Sequence, residues 1–314
     1  MLPHGHIGRL WQRMHAIDAI RAWLRREDFL EVETPAVAAN PGLDLHLDAF
    51  DVHDRHGALQ GRLITSPELH MKRLLVEGVA RCAQFARCWR AGELGARHQP
   101  EFTMLEWYRV GCGLDAMMAD TEAIVRAAAA VSRTPSCITL EHRRVALDAP
   151  FQRLTVRGAF ARYCPDAGDA VALAAADEER YYALLALEVE PHLGWEQPVF
   201  LTHFPACHAS LARTTPNDPT TCGRAELYIG GVELCNAFDE LTDPFEQRRR
   251  FEADQRARSA RGLPVYPIDE EFLSALARGL PACAGNALGL DRLLALTMGR
   301  TTVADVMAFP TPPR

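Results

Sequence analysis

Apolar residues recur at helical spacing near the start of the chain. Over residues 8–28, Leu10, Met14, Ile17 and Leu24 share a stripe flanked by Trp11 and Ile20, with arginines and acids on the remaining surface. That spacing predicts an amphipathic helix. The pattern then tightens. F-L-E-V-E-T-P-A-V (29–37) reads as a brief strand stopped by Pro35, because proline removes a ladder donor and belongs at a strand end or sheet edge. L-I-T-S-P-E-L-H-M-K-R-L-L (63–75) begins as a strand and turns helical at Ser66-Pro67. Serine at the N-cap with proline behind it is a start signal, and Glu68 in the first turn suits the helix dipole.

A period of two governs the next stretch. Phe102, Met104 and Glu106 alternate with Thr103, Leu105 and Trp107, so the two sets face opposite sides of a strand. Both faces are apolar, and one also carries Glu106. A carboxylate on such a face is costly unless it meets a cation. Residues 115–131 read as an alanine-rich helix, and two helices are expected at 155–163 and 177–189 within a 141–200 insertion.

Gly230-Gly231 predicts a two-residue hairpin turn inside A-E-L-Y-I-G-G-V-E-L-C-N-A-F-D-E-L (225–241). That register sets Tyr228 opposite Glu233 and Glu226 opposite Cys235. Glu226 and Glu233 then lie diagonally on one face, about 7–8 Å apart at Cβ. Two acids this close call for a cation, and Mg²⁺, which takes one or two carboxylates, suits them; a solvent-facing hairpin with incidental acids is the alternative. Strict alternation sends Asn236, Phe238 and Glu240 to the other face; a bulge near Leu234–Asn236 would bring the two sets together. In G-N-A-L-G-L-D-R-L-L-A-L (285–296), Gly285, Ala287 and Gly289 share a strand face as a smooth floor for close approach, and a helix bearing Arg292 follows.

Composition narrows the classes. The formal net charge is −7, so no global basic field draws the chain to nucleic acid. No apolar run is long enough to span a bilayer, and M-L-P-H-G-H-I-G-R-L lacks a signal-peptide core. Nine cysteines without a C-x-x-C pair point to reduced thiols and the cytoplasm. Residues 40–62 carry Asp44, His46, Asp48, Asp51, His53, Asp54 and His56; their spacing fixes no ligand geometry, and a solvated hairpin is expected. The arginines of 244–260 read as a solvated helix face, and P-T-P-P-R as a loose tail. Lys72 is the only lysine beside 33 arginines, which codon bias explains.

H-Q-P-E-F-T-M-L-E-W-Y (98–108) resembles motif 2 of the class II lysyl-tRNA synthetases, and still more that of their short relatives, the elongation factor P β-lysyl ligases. Residues 8–37 resemble motif 1, the helix, strand and proline of the family's dimer interface. S-P-E at 66–68 and L-T-H-F-P-A-C-H-A-S-L-A-R at 201–213 resemble ligase segments, and 285–296 resembles motif 3. The resemblance implies an α+β fold, the class II aminoacyl-tRNA synthetase catalytic domain: an antiparallel sheet flanked by helices, one domain over 1–314, working as a homodimer. No anticodon-binding domain is expected before motif 1, which disfavours tRNA as acceptor.

The same resemblance implies ATP-dependent activation of (R)-β-lysine as its adenylate and transfer to a lysine of elongation factor P. Arg90 would clamp the α-phosphate and the substrate carboxylate. His98 and Arg292 would hold the outer phosphates, and Phe102 and Arg292 would sandwich adenine. Ala91, Gly92, Glu93 and Gln99 belong to the motif 2 side of the ATP site, Leu234 and Gly289 to its other wall. Glu226 and Glu233 would place Mg²⁺. Glu106, Tyr108 and Glu240 would meet the distal ammonium, while Ser66, Pro67, Glu68 and Asn236 face the near amine above Ala287. This chain departs from the pattern at Ala91-Gly92, where Asn-Glu is usual and Glu93 comes one position late, at Gln99 for asparagine and at Ala237 for glycine. Gly92 favours one alternative, a silent paralogue that binds and regulates; a ligase for another acceptor is the other.

Overall fold

The computed structural model describes residues 5–312 apart from 43 and 133. Six antiparallel strands form its spine, in the order Arg81–Trp89, Glu101–Val110, Cys283–Gly289, Val232–Asp239, Asp218–Ile229 and Val199–Pro205. Parallel strands close both edges: Leu30–Glu31 beside Arg81–Trp89, and Gln152–Thr155 beside Val199–Pro205.

The alternation read in the Glu101–Val110 strand decides the layering. Leu105 and Trp107 enter the main core with the helices Gly5–Arg26, Leu114–Ala129 and Leu290–Thr297. Burying such side chains contributes about 1.5–3 kcal/mol each. Phe102, Met104, Glu106 and Tyr108 turn to the other face, where the helices Glu68–Val76, Pro244–Ala260 and Glu270–Gly279 wall the sheet.

The first helix forms where expected but is rotated. Ala16, Ile20 and Leu24 are buried, while Trp11 and Met14 are exposed. A polar contact sets the rotation: Arg13 Nη1 reaches the buried Asp291 Oδ1 at 2.5 Å, and Asp291 Oδ2 accepts from Thr103 N at 2.7 Å. The face bearing Arg13 must therefore point inward, which leaves Ile7, Trp11 and Met14 as an exposed stripe.

Four other expectations change. Between the helices Val156–Tyr163 and Glu178–Leu184 lies a third, Ala170–Ala176, capped by Asp169 through Val171 N and Ala172 N, both 2.9 Å. Arg258, expected on a solvated face, is 0% exposed. Its guanidinium donates to the carbonyls of Asp44, Leu45, Leu47 and Pro264 and to Asp48 Oδ1 at 2.6 Å. Segment 44–48 is thereby pinned as a wall of the cavity described below; of the polar segment, only the Asp51–His53 and Leu59–Leu63 strands form the solvated hairpin. Thr311 N donates to Gln99 Oε1 at 2.7 Å, so the tail is tethered there; its residues 313–314, like 1–4, lie outside the described residues.

Candidate active site

The glycine turn forms with φ of 59° and 70° at Gly230 and Gly231, values that glycine adopts without steric cost. Tyr228 pairs with Glu233 as expected, but the register then shifts: Leu227 pairs with Cys235 and Glu226 with Asn236, not Cys235. Leu234 is the extra residue. This bulge puts Glu233, Asn236 and Phe238 on one cavity of about 450 Å³, within the range of small-molecule sites. The next strand, Cys283–Gly289, supplies Ala287 and Gly289 to its floor. At Gly285 the approach is internal. A Cβ there would lie 2.2 Å from the Tyr108 ring and 2.8 Å from Glu240 Oε1, so glycine lets this pair lie against the sheet.

One end of the cavity is acidic and sealed. Ser66 Oγ donates to Glu106 Oε2 at 2.8 Å, and Tyr108 OH to Oε1 at 2.5 Å. Lys72 Nζ lies 2.6 Å from Glu68 Oε1 and 2.5 Å from Glu240 Oε2. The lone lysine is therefore part of the site, and codon bias does not account for its place there. Its Glu68 partner sits one helical turn earlier, the spacing at which Glu–Lys pairs meet. Lys72, Glu106 and Glu240 are 1%, 1% and 2% exposed. Burial would depress the Lys72 ammonium, but the charges of Glu240 and Glu68 outweigh it and raise it, so it stays charged. Burial pushes Glu106 up to about 8, aided by the Glu68 charge. It pushes Glu240 to about 8 as well, against the pull of Lys72. Ser66, Glu68 and Asn236 border the open cavity, whereas Glu106, Tyr108 and Glu240 stand behind Ser66 and Glu68. Pro67 is buried at the head of its helix.

The other end is basic and open. Arg292 donates to Glu233 O and Arg97 O, both 3.1 Å, and its Nη2 lies 2.7 Å from His98 Nε2. Burial, then the Arg292 charge, lowers His98, which stays neutral. Arg90 lies over the Phe102 ring at 5.1 Å, on the surface expected to stack adenine. Its Nε is buried without a partner. Glu93 sits 3.8 Å from Arg90 Nη1. A Cβ at Gly289 would lie 3.4 Å from the Arg292 side chain, so that arginine packs directly onto the floor. Ala91 N is held by Asp48 O at 2.7 Å, and Gly92 turns at φ 82°. Ala91 and Gly92 therefore shape the loop without bordering the cavity, and the Gln99 carboxamide is engaged by the tail.

Of the two acids expected at the metal, only Glu233 borders the cavity; Glu226, with Glu190 beside it, lies outside the lining. Arg224 pairs with Glu226, and Tyr228 OH donates to Glu226 Oε2 at 2.6 Å and lies 3.0 Å from Glu190 Oε1. Burial and the Glu226 charge push Glu190 up to about 7. Arg224 faces Glu226, and Arg292 lies 3.7 Å from Glu233. Neighbouring carboxylates of this kind fit a divalent cation completed by phosphate oxygens. Among the described residues, no trio of His, Cys, Asp and Glu forms a metal cluster by itself.

Sequence reading missed Lys72, Glu190, Arg224, Arg258 and the 44–48 wall. Only Lys72 had a local signal.

The antiparallel spine, its parallel edges and an arginine-bearing helix after the small-residue strand define a class of fold, and the sequence profile agrees: the chain belongs to the class II tRNA synthetases (D, K and N), matched over residues 8–312. Within that family it is similar to the elongation factor P–(R)-β-lysine ligase of Salmonella paratyphi A, 40% identical over 98% of this chain and 96% of that protein. The ligase of the same name from Photorhabdus laumondii is also 40% identical, with the same coverage. No helix among the described residues is long and apolar enough to cross a membrane.

Proposed function

We propose that this protein activates (R)-β-lysine with ATP and transfers it to a lysine side chain of elongation factor P. The observation that carries this reading is the surplus of carboxyl groups over ammonium groups at the sealed end. Glu68, Glu106 and Glu240 share one internal ammonium, Lys72, and burial holds Glu106 and Glu240 at about 8, so two carboxyls stand ready to ionise when a substrate with two ammonium groups arrives. The ligase name of the relatives points to the same substrate.

The substrate carboxylate is already nucleophilic at neutral pH and attacks the α-phosphorus of ATP, with pyrophosphate leaving. Arg90 counters the charge that develops there, and a fixed donor is worth most in such a site. His98 and Arg292 hold the outer phosphates, and catalysis is mainly positioning. Glu226 and Glu233 would hold Mg²⁺, which supplies charge neutralisation on the phosphates. In the second half-reaction the acceptor amine attacks the acyl carbon and AMP leaves. The chain works as one catalytic unit, in the cytoplasm and without tRNA. The exposed Ile7, Trp11 and Met14 stripe supports a homodimer through the first helix.

Pyrophosphate exchange into ATP tests the reading. Purified protein should exchange only when β-lysine or a close isomer is present. Absence of exchange with every lysine isomer would leave the silent, regulatory paralogue.

A further inference from the structure

Beside Glu68 a side pocket of about 30 Å³ adjoins the main cavity, enough for a water-sized group such as an ammonium head, which needs roughly 10–15 Å³. Asp44, Ser66, Glu68, Ser210 and Asp254 border both spaces. At its inner end is Gln247, 1% exposed, whose Nε2 and Oε1 both lack a partner. A buried carboxamide with nothing to bond is costly. The Asp254 carboxyl makes no hydrogen bond or ion pair among the described residues, and Asp44 Oδ1 accepts only from Ser210 Oγ, at 3.2 Å.

The nearby arginines do not answer these acids. Arg250 is spent on Glu246 and the carbonyls of Ser210 and Ala212. Arg258 is spent on four carbonyls and Asp48. Burial and the Asp44 charge accordingly push Asp254 up to about 7.

We propose that Asp44, Asp254 and Gln247 form a subsite for a primary ammonium group, separate from the Glu106–Glu240 end. An ammonium has three donors and no acceptor, which matches two carboxylates and a carboxamide oxygen. Two sources share this chemistry: the near amine of the amino acid, or the side chain of the acceptor lysine. The assignment of either source rests on the proposed function.

The test uses the full chain with Asp254→Asn and, at the exposed mouth, Asp44→Asn. If the subsite holds the amino acid, the β-lysine KM in pyrophosphate exchange rises tenfold or more while the ATP KM stays within threefold. If it holds the acceptor, exchange is unchanged and transfer to elongation factor P falls tenfold or more. Changes under threefold in both assays, for both variants, overturn the subsite. A second measurement needs no turnover. Ethylammonium chloride should raise the melting temperature of the wild type, but not of Asp254→Asn, above matched sodium chloride with ethanol. Equal shifts in the two proteins count against the subsite. Failure of wild-type exchange sinks the proposed function and leaves this measurement to decide the pocket.

Discussion

At the sealed, acidic end, Lys72, Glu106 and Glu240 are at most 2% exposed and bonded within the protein. At the open, basic end, the Arg292 and Glu233 side chains are 20% and 40% exposed and sit 3.7 Å apart. Both ends carry charge for a charged ligand, but the first holds it dry and fixed. The second holds it wet, with arginines resting on Phe102, His98 and backbone carbonyls that ATP would displace. Charges in a dry site interact strongly and are costly to leave unpaired; charges in a wet site are screened. Selectivity should therefore reside at the first end and turnover at the second.

The largest expected effect breaks the dry end. Lys72→Met strips the ammonium from Glu68 and Glu240, and loss of one partner of a buried pair costs about 3–5 kcal/mol. Melting of Lys72→Met should show it, and adding Glu240→Gln should restore part of the loss. No loss on melting would mean the pair is neutral to stability. Next, Arg90→Ala should lower kcat for exchange about 10²–10³-fold while leaving melting unchanged; a fall confined to the ATP KM would make Arg90 a binding residue only.

Ala287→Gly sharpens the comparison within the cavity floor. One methyl in a tight pocket discriminates by about 1–3 kcal/mol, roughly 10–200-fold. The variant should gain α-lysine use relative to β-lysine, read as kcat/KM for each isomer. A ratio within threefold of wild type would make Ala287 ordinary packing against Met104 and Ala86. The smallest effect is on pH dependence. Glu106 and Glu240 bind protons more tightly folded than unfolded, so their stabilisation is full below about 4.5 and lost as pH rises to about 8. β-Lysine supplies ammonium groups that favour the ionised acids, and should flatten the fall in melting temperature between pH 6 and 9. A parallel fall with and without β-lysine would place the amine elsewhere.

The sequence carried what local rules encode. Alternation around Glu106 predicted its recess, the glycine pair predicted the turn, and Ser66-Pro67 marked the helix start to within a residue, with Pro67 and not Ser66 at the cap position. Lys72 was equally legible beside Glu68 and was passed over because composition offered a simpler account. The rest depended on distant partners. Arg13 turns the first helix by meeting Asp291, and Arg258 grips carbonyls of 44–47. Backbone carbonyls have no letter in the sequence, so a buried arginine that serves them looks like any charged one.

Lys72 has a consequence for chemical work on the protein. Its ammonium is enclosed and doubly paired, and no other lysine side chain exists to compete with it. Reagents that acylate amines should find no accessible lysine side chain here and be left with the α-amino group. An escaped adenylate would find no accessible lysine side chain here to label, so self-modification at lysine is closed off. In a mixture with an acceptor protein, lysine-directed cross-linkers would report almost wholly on the acceptor's own surface.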